Sequence, residues 1–108
     1  YHYIDIDDIL YLQADNNTTD IFLNTGNKIP AFETLKKFQE KLPKFFIRIH
    51  NSYIINSQQI NRINFRKSKI SLHANFDTVN LPFSRKYKDS VKVFNDTMIS
   101  DQFATVLN

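Results

Sequence analysis

The spacing of the apolar residues constrains this chain more than any other feature. Helical spacing occurs in only two places. Leu35, Phe38 and Leu42 fall at i, i+3 and i+7, and Tyr87, Val91, Phe94 and Met98 at i, i+4, i+7 and i+11, so each set lines one face of a helix. Thr34 is placed to cap the first helix and Pro43 to stop it; Ser84 is placed to cap the second. Everywhere else the apolar residues come in short runs. Ile4, Ile6 and Ile9–Leu12 read as one or two strands broken near Asp7-Asp8. Further strands are expected at Ile21–Leu23, Lys28–Ala31, Phe45–Ile49, Tyr53–Ile55, Ile60–Phe65, Lys69–His73 and Thr78–Phe83. Residue types that favour turns separate them: a polar loop at Asp15–Thr19, a hairpin turn at Asn24–Asn27, a basic turn at Arg66–Ser68 and another at Ala74–Asp77. Fifteen of the 108 residues are Phe or Tyr, which suits half-buried pleated surfaces. The expected fold is mostly β (α+β): small antiparallel sheets packed together, with one short internal helix and a C-terminal helix. A length of 108 residues fits a single domain, with a core over about 4–95 and a tail over 96–108. Ile99 to Asn108 carry no partner signal and are expected to fray.

Several function classes are poorly served by this composition. There is no Cys, hence no disulfide framework and no thiolate metal site. Gly26 is the only glycine, whereas phosphate loops and dinucleotide fingerprints need two or three at close spacing. His2, His50 and His73 have no metal-pair spacing. Ser52 follows His50 closely, but no third orienting group accompanies them. Asp7 and Asp8 would point to opposite faces of one strand. No enzyme activity, metal or cofactor is expected. No apolar run nears the roughly 18 residues of a membrane span, and no signal segment is visible. The expected location is the cytoplasm, with no membrane contact by this segment.

The net charge of +3 hides a lopsided distribution. Residues 1–35 carry −5, residues 36–92 carry +10, and the remainder carries −2. A basic middle between acidic ends fits a polyanionic partner on one surface, or a merely solvated basic face. Two clusters stand out. In Phe45-Phe46-Ile47-Arg48-Ile49-His50-Asn51-Ser52-Tyr53-Ile54-Ile55-Asn56, apolar runs enclose a polar knot. Asn51 and Ser52 could address a base edge or a phosphate, or simply close the turn on themselves. In Leu81-Pro82-Phe83-Ser84-Arg85-Lys86-Tyr87-Lys88, three cations fall at the start of the second helix. That end of the helix dipole favours anions. A bound phosphate would answer both the dipole and the cations, although exposed charges there are also tolerated.

The segment Phe46–Asn56 closely resembles the signature of LytTR domains, bacterial transcription-regulator modules. Asp8–Ala14 resembles the family's opening strand, with Gln13 where a Glu is usual. Phe32–Leu42 with Pro43 resembles its short helix and exit. Leu81–Tyr87 resembles its late strand and Ser-Arg motif. The matches run in order over roughly residues 4–95. The resemblance implies sequence-specific binding of double-stranded DNA, at repeated sites, through loops in two major grooves and the minor groove between them. Carried over by residue, it implies a minor-groove contact from Asn51 and a major-groove base contact from Arg85. The first reading loop aligns on Asn16–Thr19, so base contacts are expected among Asn16, Asn17, Thr18 and Thr19. Ser52, Lys86, Lys88 and Arg48 are expected at phosphates, and His50 as a structural hydrogen-bonder. The resemblance also implies an effector domain of a two-component response regulator, excised from a parent chain with an N-terminal receiver or sensor. Compact reach over three grooves suggests bent DNA. The competing expectation is a protein-interaction or RNA-binding β module, which needs exposed rings such as Phe65, Phe76 or Phe83 on the basic face.

Overall fold

The computed structural model describes the backbone of residues 4–75 and 77–107 and side chains as far as Thr97. Among these residues eight strands form two antiparallel sheets. The first contains β1 (Ile9–Asp15), β2 (Thr18–Leu23), β3 (Lys28–Ala31), β4 (Phe46–His50) and β5 (Tyr53–Asn56), in the order β3-β2-β1-β5-β4. The second contains β6 (Ile60–Asn64), β7 (Lys69–His73) and β8 (Thr78–Pro82), in chain order. Helix α1 (Leu35–Lys41) joins β3 to β4, and α2 (Lys88–Leu107) follows β8.

The first sheet is covered on both faces. On one, Leu12, Ile21, Phe46 and Ile54 pack with Leu35 of α1, and Phe38 and Leu42 close the edge. On the other, Leu10, Tyr11, Ile49 and Ile55 meet Ile70 and Leu72 of β7, Leu81 and Phe83, and Val91 of α2. Double coverage explains the opening of β1: Ile9, Leu10, Tyr11 and Leu12 are all buried. A sheet with one wet face would have alternated.

Local chemistry sets most boundaries as expected. The Thr34 hydroxyl accepts the Lys37 N–H at 3.3 Å and starts α1. The break at Asp7-Asp8 is a 3-10 turn, Ile6–Asp8, whose Asp7 N–H donates to Asp5 Oδ1. Asn16 turns the β1–β2 hairpin with φ 57°, a left-handed conformation that Asn tolerates better than most residues.

One expectation at the C-terminal side is corrected. Ser84 does not cap a helix: its side chain makes no cap bond, and its Oγ is buried without a partner. Its N–H instead donates to the Ile49 carbonyl at 2.9 Å, so the segment lies along the edge of β4. A 3-10 turn, Arg85–Tyr87, then precedes α2, and Asp89 stands in the first turn of that helix. The cations at Arg85 and Lys86 are therefore not in the helix, and the dipole mismatch is smaller than the sequence implied. Helix α2 runs to Leu107. Met98 and the side chains after it lie outside the described residues.

Candidate nucleic-acid interface

Three polar segments meet along one rim of the first sheet. The β1–β2 hairpin closes over Asn16-Asn17, with Asp15 opposite Thr18. Its neighbour is the β4–β5 turn, because Gln13 pairs with Tyr53 and the Ala14 N–H donates to the Ser52 carbonyl at 2.9 Å. Next comes Ser84, bonded to Ile49 on the outer edge of β4. The rim thus carries, in spatial order, the hairpin tip, the Asn51-Ser52 turn and the Ser84-Arg85 segment. These are far apart in sequence, and the ladder of strands brings them side by side.

The central turn is held from behind. The Arg48 Nε donates to the His50 carbonyl at 2.8 Å, one guanidinium nitrogen to the Asn51 carbonyl at 2.6 Å, and the other to Gln39 Oε1 of α1 at 3.0 Å. Every nitrogen of Arg48, expected at a phosphate, therefore donates within the protein. His50 Nδ1 accepts the Ser52 N–H at 3.1 Å, so the imidazole serves the turn structurally. It also leans on the Tyr53 ring at 5.5 Å. A register shift between Arg48 and His50 makes this possible. Arg48 lies opposite Ile54 on the α1 side, whereas His50 lies opposite Tyr53 on the other, and the unpaired Ile49 offers its carbonyl to Ser84. Strict alternation would have put His50 with Arg48. With its backbone fixed, Asn51 is left exposed at the rim.

At the third segment, Arg85 is exposed, and neither of the two ion pairs among the described residues involves it. Lys86 Nζ lies 5.4 Å from the centre of the Tyr87 ring, and the Arg48 guanidinium lies 6.0 Å from the same ring. Tyr87 so connects the third segment to the second. Lys88 is exposed as the first residue of α2.

At the hairpin tip the structure divides the expected residues. Asn16 and Asn17 are exposed, and Thr18 is half-buried with its hydroxyl donating to the Asp15 carbonyl at 2.8 Å. Thr19 is a correction. It is 0% exposed, and its hydroxyl donates to the Glu33 carbonyl at 2.7 Å. A side chain sealed between β2 and the start of α1 has no access to a base.

Sequence reasoning missed two features. Phe32 is 90% exposed at this rim, although a lone Phe before a helix reads as core. On the outer face of the second sheet, Arg62, Lys67 and Lys69 line a shallow groove of about 340 Å³ with Asn64, Ser71 and Asn80. Alternation along β6 and β7 is the signal that could have marked that face, and no motif accompanies it. Two of the three rings expected for base stacking are withdrawn from solvent to different degrees. Phe83 is buried and Phe65 half-buried, edge-on to it at 5.7 Å. Phe76 lies outside the described residues. The RNA-stacking alternative loses the support of Phe65 and Phe83.

Two antiparallel sheets, with polar and cationic turns gathered on one rim, define a small β-scaffolded domain. The chain belongs to the LytTR family: the model of the LytTr DNA-binding domain matches residues 1–94. LytTR domains are not an enzyme class. Among solved structures, the fold is similar to the LytTr DNA-binding domain of a putative methyl-accepting/DNA response regulator from Bacillus cereus. The TM-score is 0.63 at 22% identity, over 88% of this chain and 84% of that one. The transcriptional regulatory protein LytR of Staphylococcus aureus strains N315 and USA300 is 35% identical over an alignment 69 residues long, which covers 56% of this chain. The match spans 28% of the length of those relatives. Among the described residues, no helix is long and apolar enough to cross a membrane, and no group of three or more His, Cys, Asp or Glu could hold a metal ion.

Proposed function

We propose that this chain is the DNA-reading effector domain of a cytoplasmic bacterial response regulator, which recognises double-stranded DNA at repeated sites. The observation that carries this reading is the order of segments on the rim: hairpin tip, Asn51 turn, Ser84-Arg85 (Ala14 N–H to Ser52 carbonyl, Ser84 N–H to Ile49 carbonyl). That order matches major groove, minor groove, major groove. Asn16, Asn17 and Thr18 face the first. Asn51 faces the minor groove, where its amide distinguishes A·T from G·C and little more. Arg85 reaches the second major groove, where a guanidinium pairs with guanine O6 and N7. Ser52, Lys86 and Lys88 flank these contacts at phosphates, which position without specifying. Arg48 contributes by holding the Asn51 turn. The remaining length of the LytR relatives has room for an N-terminal receiver or sensor, and such a domain would supply the input signal here.

Enrichment from a randomised duplex pool at two salt concentrations tests the reading. A preferred sequence should emerge and bind more tightly than bulk DNA. Arg85→Ala should then relax preference at one base position by about 1–3 kcal/mol. Lys86→Ala should weaken every sequence alike and lower the salt slope by about 0.9. If the two variants behave identically, the roles given to these residues are wrong. If no sequence is enriched, the DNA-reading proposal fails as a whole.

A further inference from the structure

We propose that Phe32 is a base-contacting residue that reads the 5-methyl group of a thymine in the major groove entered by the Asn16–Thr18 tip. The inference rests on the DNA-reading function proposed above and adds a residue and a ligand chemistry to it. Phe32 is 90% exposed, against 65% for Val93 and 39% for Ile6, the other exposed large hydrophobics among the described residues. An aromatic ring held almost wholly in water contributes nothing to the core, so its position needs another account.

Its place in the fold supplies one. Ala31 is the last residue of β3 and pairs with Thr19. One residue further, Phe32 comes level with Thr18, at the base of the hairpin tip. The chain is anchored on both sides of it. Ala31 is in the ladder, and the Glu33 carbonyl accepts the buried Thr19 hydroxyl at 2.7 Å. The Glu33 carboxylate is paired with Lys41 of α1, and Thr34 caps that helix. Phe32 is therefore presented between two fixed residues rather than on a free loop. Thr19, unable to reach a base itself, acts as one of the anchors.

The chemistry of the groove selects the target. Hydrogen-bonding groups dominate the major-groove edges of the bases, and the thymine C5-methyl is the apolar exception that a Phe ring contacts. Beside a tip of Asn16 and Asn17, whose amides hydrogen-bond, and Thr18, whose small methyl is half-buried, Phe32 adds the one large apolar surface. The exposed Lys36 and Lys37 on the first turn of α1 stand close enough in sequence to meet the adjoining phosphates.

The test uses the whole chain and the duplex enriched from the random pool. Each thymine is replaced in turn by deoxyuridine, which lacks only the methyl group, and affinity is measured by fluorescence anisotropy. For the unaltered protein, one replacement should weaken binding about fourfold, which is about 0.8 kcal/mol, the worth of one buried methylene-sized group. Phe32→Ala should bind thymine and uracil duplexes alike at that position, while keeping its response at every other. Its thermal midpoint should be unchanged, because the ring it lacks was exposed. The proposal is overturned if no replacement weakens the unaltered protein, or if Phe32→Ala responds to every replacement as the unaltered protein does. Suppose the variant instead loses self-association in sedimentation without DNA, and its thymine response is intact. The ring then belongs to a contact between copies and the proposal again falls. Failure of the DNA reading itself would appear earlier, as a pool with no enriched sequence.

Discussion

Arg48 shows how one residue links scaffold to site. Its three donors span the His50 carbonyl, the Asn51 carbonyl and Gln39 of α1, a fork that a single ammonium cannot reproduce. Hydrogen bonds to a charged group are worth about 1.5–3 kcal/mol each when partly shielded from water. Arg48→Lys retains the charge but loses most of this geometry. It should lower unfolding free energy by about 1–2 kcal/mol in a urea titration. It should also weaken DNA binding more than Lys86→Ala does, because Asn51 is no longer held. Equal DNA affinity after Arg48→Lys would mean that the turn needs no clamp. The sequence marked Arg48 only as a cation near a polar knot. Which carbonyls it would meet depends on the extra residue in β4 at Ile49, and no residue type announces a bulge there.

At the scale of elements, legibility followed the nature of the signal. Strands with a clear start and a turn at each end, such as Lys69–His73, fell where expected. So did α1, because Thr34 and Pro43 are local stop and start chemistry. Ser84 misled, because the same hydroxyl suits an N-cap and an extended edge. The choice was made by an acceptor on β4, thirty-five residues away in the chain. Pairing between elements also perturbs one titration among the described residues. Tyr11 stacks flat on Phe22, its cross-strand partner, at 4.4 Å, and lies edge-on to Tyr53 at 6.2 Å. Burial pushes the Tyr11 phenol above its usual 10.0, and the neighbouring Tyr53 adds to the shift. The phenol is neutral in the native state and ionises more readily in the unfolded chain. This contribution is therefore full below about pH 10 and is lost as pH rises through the higher native value. Unfolding midpoints measured from pH 8 to 11 should fall at the alkaline end, and Tyr11→Phe should flatten part of that fall. Parallel curves for the two proteins would place the alkaline loss elsewhere.

For the whole molecule, charge and reach decide how DNA would be met. Asp5, Asp7 and Asp8 precede β1, which runs from them toward the hairpin tip. Asp77 joins the same end, since the Asn24 N–H donates to the Asp8 carbonyl and the Asn75 N–H to the Asn24 carbonyl. These four acids thus sit opposite the rim that carries Arg85 and Lys86, whereas Asp15 and Glu33 lie at the rim itself. The four acids repel a polyanion from their end, and Arg85 and Lys86 draw it to the other, a separation that the −5 and +10 segments record only in part, because Asp15 and Glu33 count in the first of them. The reach of the rim was not visible there. From β2 across β1, β5 and β4 to Ser84 are four strand spacings, about 19 Å in all. Successive major-groove faces of straight duplex are about 34 Å apart. Side chains extend the rim at both ends but do not close that gap without help from the DNA. The duplex should therefore bend toward the protein, at a cost of order 1–6 kcal/mol that depends on the sequence between the two contacted grooves. The enriched site, placed at the centre or the end of fragments of equal length, reports this directly. Complexes should migrate most slowly with the site central, and a flexible TA or CA step beneath Asn51 should raise affinity where a stiff A-tract lowers it. Mobility independent of site position would mean straight DNA. In that case a single domain could not place Arg85 and the Asn16–Thr18 tip in successive major grooves, and one of the two contacts would have to be given up.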